Sequence, residues 1–339
     1  MPDVIVIGQP VGTGGVAQTT NFDQAVTALV SSNIQENLRK VVRYMAADGY
    51  ISGNIVPGTN KIRYISYGDL SIPAPLPAPP APGTVPWLVE GQRPFLEPIA
   101  IGYEEFSAYQ AGRLVGISDV ALEFNPHNLF AVAAERVAYN AMATIDQYIA
   151  SILHAGTAVQ WAGAATSTGT VTAAMKLTAA EIREAVATLK ANNVPPFADG
   201  FYHAFIHPNM IFDLQGDTAV GGWIEASKYG AVEQLFSGEI GRIYGVRFIE
   251  TPIGTYLGTV GATSAKVYST FIFGPGAWAW GDVQTIRTYM VRPGGDHTDP
   301  LAQLAEVGWK GMFGAKLLGG ATSPGTGPKY IRIESGGTL

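Results

Sequence analysis

The chain has 339 residues, of which 47% are hydrophobic and only 14% charged, well below the roughly 25% charged residues usual for soluble globular proteins. Its formal net charge of −6 comes from 21 basic and 27 acidic residues without a block of like charge, so the clustered Lys and Arg that a non-specific grip on DNA requires are missing. Cysteine is absent, which excludes disulfides, thiolate nucleophiles and cysteine-ligated metals. No charge-free apolar run reaches the length of about 18 residues expected of a membrane-spanning helix. The opening Met1-Pro2-Asp3-Val4 lacks the basic start of a signal peptide. Burial against partner proteins is the reading left for so sparsely charged a chain.

In chain order, the apolar Val4-Ile5-Val6-Ile7 leads into a Gly- and Thr-rich stretch to about residue 20. From Phe22 to Met45 the spacing of Val26, Leu29, Val30, Ile34, Leu38, Val41 and Val42 predicts an amphipathic helix. Arg39, Lys40 and Arg43 stand near its C-terminal end, where the helix dipole favours cations. Lys61–Tyr67 is rich in β-formers and reads as a strand. The run Ile72 to Pro82 alternates with proline so densely that it must be extended, a stiff loop tip more than a proline ligand for a signalling module. Trp87–Glu90 and Phe95–Ile99 regain strand character, so residues of about 50–100 read as a projecting arm with a rigid tip.

The next helix starts at Asn125, a good N-cap, with Pro126 in the first turn. Phe130, Ala134, Val137, Ala141, Ile145, Tyr148 and Ile152 line one face, and Gly156 closes the run. Roughly 28 residues at about 1.5 Å each predict a rod on the order of 40 Å. Thr178 and Glu181 form a capping box for another helix, with Ile182, Ala185, Val186 and Leu189 as its apolar face and Pro195-Pro196 beyond it. A strand at Phe201–His207, a short helix at Asn209–Leu214 and a hairpin or paired strands over Arg242–Glu250 follow. Further strands are expected at Val267–Phe273, Thr285–Val291, Val307–Leu318 and Tyr330–Ile333.

Chemistry is sparse. Gly12-Thr13-Gly14-Gly15-Val16-Ala17 matches the letters of a dinucleotide fingerprint, but no second strand ending in an acid follows it, so a flexible glycine-rich arm is the better reading. His203 and His207 stand four apart, yet Ala204 occupies the position of the general base in zinc-binding H-E-x-x-H helices, and Pro208 abuts the second His. In a strand the two share a face with Phe205, which points to packing. His127, His154 and His297 form no spacing-defined set with them. Glu104 and Glu105 are adjacent, so on a strand they face opposite ways and make no acid–base pair; solvation accounts for them. Asp296-His297-Thr298-Asp299 reads as a polar turn among Gly294, Gly295 and Pro300. No G-x-S-x-G elbow or G-x-x-x-x-G-K-[ST] phosphate loop occurs. Catalytic, cofactor-binding and metal residues are therefore expected to be none.

Several blocks carry a resemblance. Ile152-Leu153-His154-Ala155-Gly156-Thr157 with Val159–Gly163 comes first, then Leu177-Thr178 through Ile182-Arg183, Ala185-Val186 and Leu189–Asn193. Ile206-His207-Pro208, Phe212-Asp213-Leu214, Trp223–Ala226 and Lys228-Tyr229 follow, then Gly238–Arg242 with Gly245–Thr251, and finally Asp299-Pro300-Leu301 and Val307–Lys310. Over residues of about 145–318 this series resembles the N-four-type major capsid family of tailed phages. The resemblance implies an α+β chain with the Hong Kong 97 capsid fold: an N-terminal arm (1–48), an extended β-hairpin loop (49–100), a peripheral domain (101–200 and 281–339) with a spine helix (125–155), and an axial domain (201–280). It also implies a non-enzymatic major capsid protein of the virion that assembles in the host bacterial cytoplasm. Hexamers and pentamers of the chain would enclose double-stranded DNA without sequence-specific binding and without a membrane, alongside portal, scaffold and cement or decoration proteins. An encapsulin-like compartment shell is the alternative, with a dinucleotide-binding enzyme behind it. On the projecting arm, Arg63, Tyr64, Tyr67, Trp87, Glu90 and Arg93 are the candidates for contacts between copies, because aromatic and Arg anchors dominate such interfaces.

Overall fold

The computed structural model describes residues 43–47, 49–67, 90, 91, 93, 96, 98, 99, 101–124, 129–217, 242–294, 299, 301–318 and 327–337. The strands are β1 (Tyr50–Ser52), β2 (Asn54–Ile55), β3 (Lys61–Tyr67), β4 (Ile101–Ser107), β5 (Tyr109–Ser118), β6 (Val159–Trp161), β7 (Tyr202–Ile206), β8 (Arg242–Ile243), β9 (Val246–Glu250), β10 (Tyr256–Gly258), β11 (Val267–Phe273), β12 (Trp278–Val291), β13 (Leu304–Leu317) and β14 (Tyr330–Gly336). The helices are α1 (Arg43–Ala46), α2 (Asp119–Phe124), α3 (Leu129–His154), α4 (Ala179–Ala191) and α5 (Pro208–Gln215). Contacts divide the chain into two units. One includes Gln110–Thr144 and Gln284–Met312; the other includes Arg43–Tyr109, Ile145–Val283 and Phe313–Leu339.

The second of these units is built on a seven-stranded sheet in the order β6-β14-β11-β7-β9-β8, with β10 also paired to β11. Every residue of β11, Val-Tyr-Ser-Thr-Phe-Ile-Phe, is buried, because the strand is central and both faces of the sheet are covered. On one face Ile272, Ala204 and Ile333 meet Ile182, Ala185, Val186 and Leu189 of α4 and Met210 and Leu214 of α5. On the other, Phe205 and Phe273 stack at 4.8 Å, with Tyr44 at 4.1 Å from Phe205 and Trp278 at 5.2 Å from Phe273. Each such side chain contributes about 1.5–3 kcal/mol of burial. Chain neighbours therefore need not be sheet neighbours. Helix α4 and strand β14 lie outside residues 201–280 yet cover and pair with their strands, so the expected boundaries at 200 and 280 run through one sheet.

Local signals explain the edges. The Glu181 carboxylate accepts from the Thr178 N–H at 3.0 Å, which starts α4 as the capping box predicts. The helix stops at Ala191, before the two prolines, because Asn193 turns left-handed with φ 56°. Between β8 and β9, Tyr244 and Gly245 at φ 49° and 79° make the two-residue turn of an antiparallel hairpin.

The other unit packs β5, β12 and β13 with the first part of α3. Ala133, Ala134, Ala138 and Ala141 are buried on the helix, and the buried Trp309 donates its indole N–H to Asn140 Oδ1 at 3.1 Å. The N–H of Asp119 donates to Gln303 O at 2.9 Å, joining the start of α2 to the residues before β13.

Several expectations change. Among the described residues the spine helix runs from Leu129 to His154, 26 residues or about 39 Å, and α2, earlier in the chain, is a helix that the sequence reading does not include. Asn125 and Pro126 lie outside the described residues. Leu96, Pro98 and Ile99 belong to no strand; the strand that returns to β3 is β4, seven residues beginning at Ile101. Strand β12 starts at Trp278, not Thr285, because Trp278–Gly281 are buried and so show no alternation to the eye. Of the Phe22–Met45 helix, only its end at α1 falls among the described residues, and the Gly12–Ala17 stretch, residues 72–82 and Trp223–Tyr229 fall outside them.

Candidate assembly surface

Strands β2, β3 and β4 form a three-stranded antiparallel sheet. Register alternation divides β3 and β4 into two faces. Ile62 pairs with Phe106, Tyr64 with Glu104 and Ser66 with Gly102 on one face. Ile62 is fully buried there, against Gly53 and Gly281, where any added Cβ would collide with it. On the opposite face Arg63 pairs with Glu105, Ile65 with Tyr103 and Tyr67 with Ile101. This second face is open: Ile65 is 43% exposed, Tyr67 68%, Ile101 66% and Tyr103 63%.

One end of the open face is closed by ions. Arg63 Nη2 lies 2.5 Å and Nε 2.9 Å from Glu105 Oε1, Lys61 Nζ lies 3.4 Å from Glu105 Oε2, and the Arg63 guanidinium sits 4.8 Å above the Tyr103 ring. Arg63 above all, with Lys61 beside it, holds the Glu105 carboxyl below the usual carboxylate range. Glu104 points the other way and meets Lys316 Nζ at 2.5 Å. Glu104 and Glu105 therefore do face apart as a strand requires, but they are not merely solvated acids. Each is tied to its own cation across strands.

Among the residues expected to contact other copies, Tyr67 is exposed on the open face, and Arg63 is there but engaged with Glu105. Tyr64 is half-buried on the reverse face. Glu90 and Arg93 are exposed, and Trp87 lies outside the described residues. Ile65, Ile101 and Tyr103, not among those candidates, share the open face with Tyr67. The signal for Ile101, Tyr103 and Glu105 was their alternation, which the adjacent Glu104-Glu105 pair obscures.

The described histidines serve packing and capping. His207 Nδ1 accepts from the Asn209 N–H at 3.1 Å at the start of α5, and Pro208 occupies its first turn. His154 Nε2 is 2.7 Å from Gly254 O, its ring edge-on to Phe271 at 4.9 Å. Burial lowers the pKa of both imidazoles. His127 and His297 lie outside the described residues. Among the described residues no group of three or more His, Asp or Glu is placed to hold a metal ion, and no helix is long and apolar enough to cross a membrane.

The face is apolar and aromatic with an ionic border. No curated protein sequence matches the chain. Its fold is similar to the capsid of Ralstonia phage GP4 at TM-score 0.61 and 14% identity, over 86% of each chain. It is similar to the capsid of cyanophage Pam1 at 0.61 and 16%, over 82% of this chain and 85% of that one. The capsid of Helicobacter pylori bacteriophage KHP30 matches at 0.58 and 13%, over 86% and 88%. The family described as phage capsid protein matches residues 102–318. With that match covering more than half of its length, the chain belongs to the phage capsid protein family, structural proteins of the virion shell and not enzymes.

Proposed function

We propose that the chain is the major subunit of an icosahedral phage head, arranged as hexamers and pentamers around double-stranded DNA and assembled in the bacterial cytoplasm with portal, scaffold and decoration proteins. The open face of β3 and β4 supports this reading most directly: four large apolar or aromatic side chains stand exposed together, the kind of patch that marks a protein–protein contact. Tyr67, with Arg63, Glu90 and Arg93 near it in the chain, joins Ile65, Ile101 and Tyr103 as the candidate contact to a neighbouring copy. In this reading residues 1–48 act as the arm, 49–100 as the extended loop, and the peripheral part holds the spine helix. The axial part, centred on 201–280, is broadened by α4, which packs on its sheet, and by β14, which pairs into it.

Electron microscopy of the chain expressed with its neighbouring phage genes tests the proposal. Closed shells of uniform diameter are expected, and particles from infected cells are expected to protect DNA from nuclease. Protected protein cargo in place of DNA would favour a compartment shell, and a monomer at high concentration would refute self-assembly.

A further inference from the structure

Two contacts on its reverse face tie the β3–β4 hairpin to the rest of its unit. The first is apolar. Ile62 is fully buried against Gly53 and Gly281, and its register partner Phe106 lies beside Gly314 of β13, where an added Cβ would come within 3.2 Å of the ring. The second is ionic and sits one rung further out. Lys316, two residues past Gly314 on β13, places Nζ 2.5 Å from Glu104 Oε2 and 3.4 Å from the Glu105 carbonyl oxygen. The rungs beyond, Ser66–Gly102 and Tyr67–Ile101, lead out to the exposed end of the open face.

We propose that Lys316 is a positioning residue for assembly. Its bond to Glu104 fixes the direction of the hairpin, so that Ile65, Tyr67, Ile101 and Tyr103 are already aimed when a neighbouring copy arrives. The inference rests on the reading of that face as a contact between copies, and it adds what holds the face in place.

The reason is mechanical. Apolar burial has no directional preference, so a single socket at Ile62 acts as a pivot. Strands rise about 3.3 Å per residue, which puts Tyr67 about 17 Å from that pivot and Glu104 about 7 Å from it. A tilt of about 15° would carry Tyr67 about 4 Å, the whole reach of an apolar contact. A second point of attachment removes that freedom. Glu105 has its own cations on the opposite face, Arg63 and Lys61, so its carboxylate does not compete for Lys316. The Glu104 side chain is 17% exposed and that of Lys316 40%, and a pair so placed adds little to folding. What it adds is order before binding, because a face already aimed loses less freedom when its partner meets it. The gain repeats in every copy of a ring.

The sequence has no cysteine, so nitroxide labels can be set at Tyr67→Cys on the hairpin and Ala187→Cys on the exposed side of α4. Pulsed electron-spin measurement on this full chain, unassembled, should give a narrow distance distribution. Adding Lys316→Met should widen it by about 4 Å, the displacement of the tip worked out above. Exchanging the charges, Lys316→Glu with Glu104→Lys, should narrow it again. In the unlabelled chain, Lys316→Met should need roughly three- to tenfold more protein to form shells, the inverse of the fraction of time the hairpin is aimed. Its thermal midpoint should fall by no more than about 3 °C, the scale of one partly exposed ion pair. A larger fall would make Lys316 a folding residue and overturn the positioning role. So would a Lys316→Met distribution as narrow as the parent's, shells at the parent's concentration, or a swapped pair that stays broad. Should the parent itself form no shells, self-assembly fails as a reading, and the widths alone decide whether Lys316 aims the hairpin.

Discussion

The guanidinium of Arg332, on β14, donates to the backbone carbonyl of His154, the last residue of the 26-residue helix α3. The same guanidinium forms an ion pair at 3.0 Å with Glu334, whose carboxylate is buried and also accepts from Trp161 Nε1 at 3.1 Å and from Thr168 Oγ1 at 2.6 Å. A cation thus meets the negative end of the helix dipole and neutralises a buried acid in one step. Arg332→Met leaves Glu334 charged and buried without its cation. The expected cost is about 3–5 kcal/mol, because breaking one side of a buried pair is far worse than replacing both. Denaturant unfolding of Arg332→Met beside an Arg332→Met, Glu334→Gln double variant checks it. The double variant is expected to recover part of the loss.

Acid should destabilise the fold through His154 and His207. Burial lowers both imidazoles below their unfolded value, so the unfolded chain takes up protons first as the pH drops. The stability is complete above about pH 6.5 and declines as the pH falls from there through the lower folded-state values. His154 has a specific reason: its Nδ1 is buried without a hydrogen-bond partner, so an added proton there meets no acceptor. Unfolding midpoints followed from about pH 8 to about pH 5 should drop for the wild type and drop less for His154→Gln; parallel curves would contradict the assignment.

Two glycines separate backbone strain from packing. Gly245 and Gly254 both have positive φ, 79° and 71°. A Cβ on Gly245 meets nothing within 4 Å, whereas one on Gly254 would run into the Cβ of Ala150. Gly245→Ala is expected to cost about 1 kcal/mol, the conformational penalty alone. Gly254→Ala should cost about 1–3 kcal/mol more, since overpacking adds to it. Equal losses in thermal unfolding would show that α3 gives way at Ala150.

Tyr67→Asp and Ile101→Asp probe the open hairpin face. Both side chains are more than half exposed, so subunit stability should move by no more than about 0.5 kcal/mol. Shell formation, scored by sedimentation and microscopy, should be lost. Tyr64→Asp, on the reverse face and half-buried, is expected to act on folding as well as on assembly.

Much of this was legible beforehand because it is local. The spacing in α3, the Thr178–Glu181 box, the buried run of β11 and the β8–β9 hairpin each depend on neighbours within a few residues, and each appears close to its expected place. The return strand of the hairpin was displaced, to Ile101–Ser107. Helix α2 was not anticipated, and the strand at Ile101–Ser107 hides behind two adjacent acids that no local rule predicts to be paired.

The sequence alone determined a charge-poor, cysteine-free chain of mixed helices and strands, and its ordered blocks in the second half marked the family. Only the tertiary structure decided that α4 packs on, and β14 joins, the sheet of residues 202–273. It alone also decided that Glu104 and Glu105 find different cations, and that Ile65, Tyr67, Ile101 and Tyr103 share one open face. The reason is range. Periodicity and capping act over one or two turns of chain, whereas strand register and cross-strand charge pairing are set by packing between segments tens to hundreds of residues apart, whose energies no local pattern records.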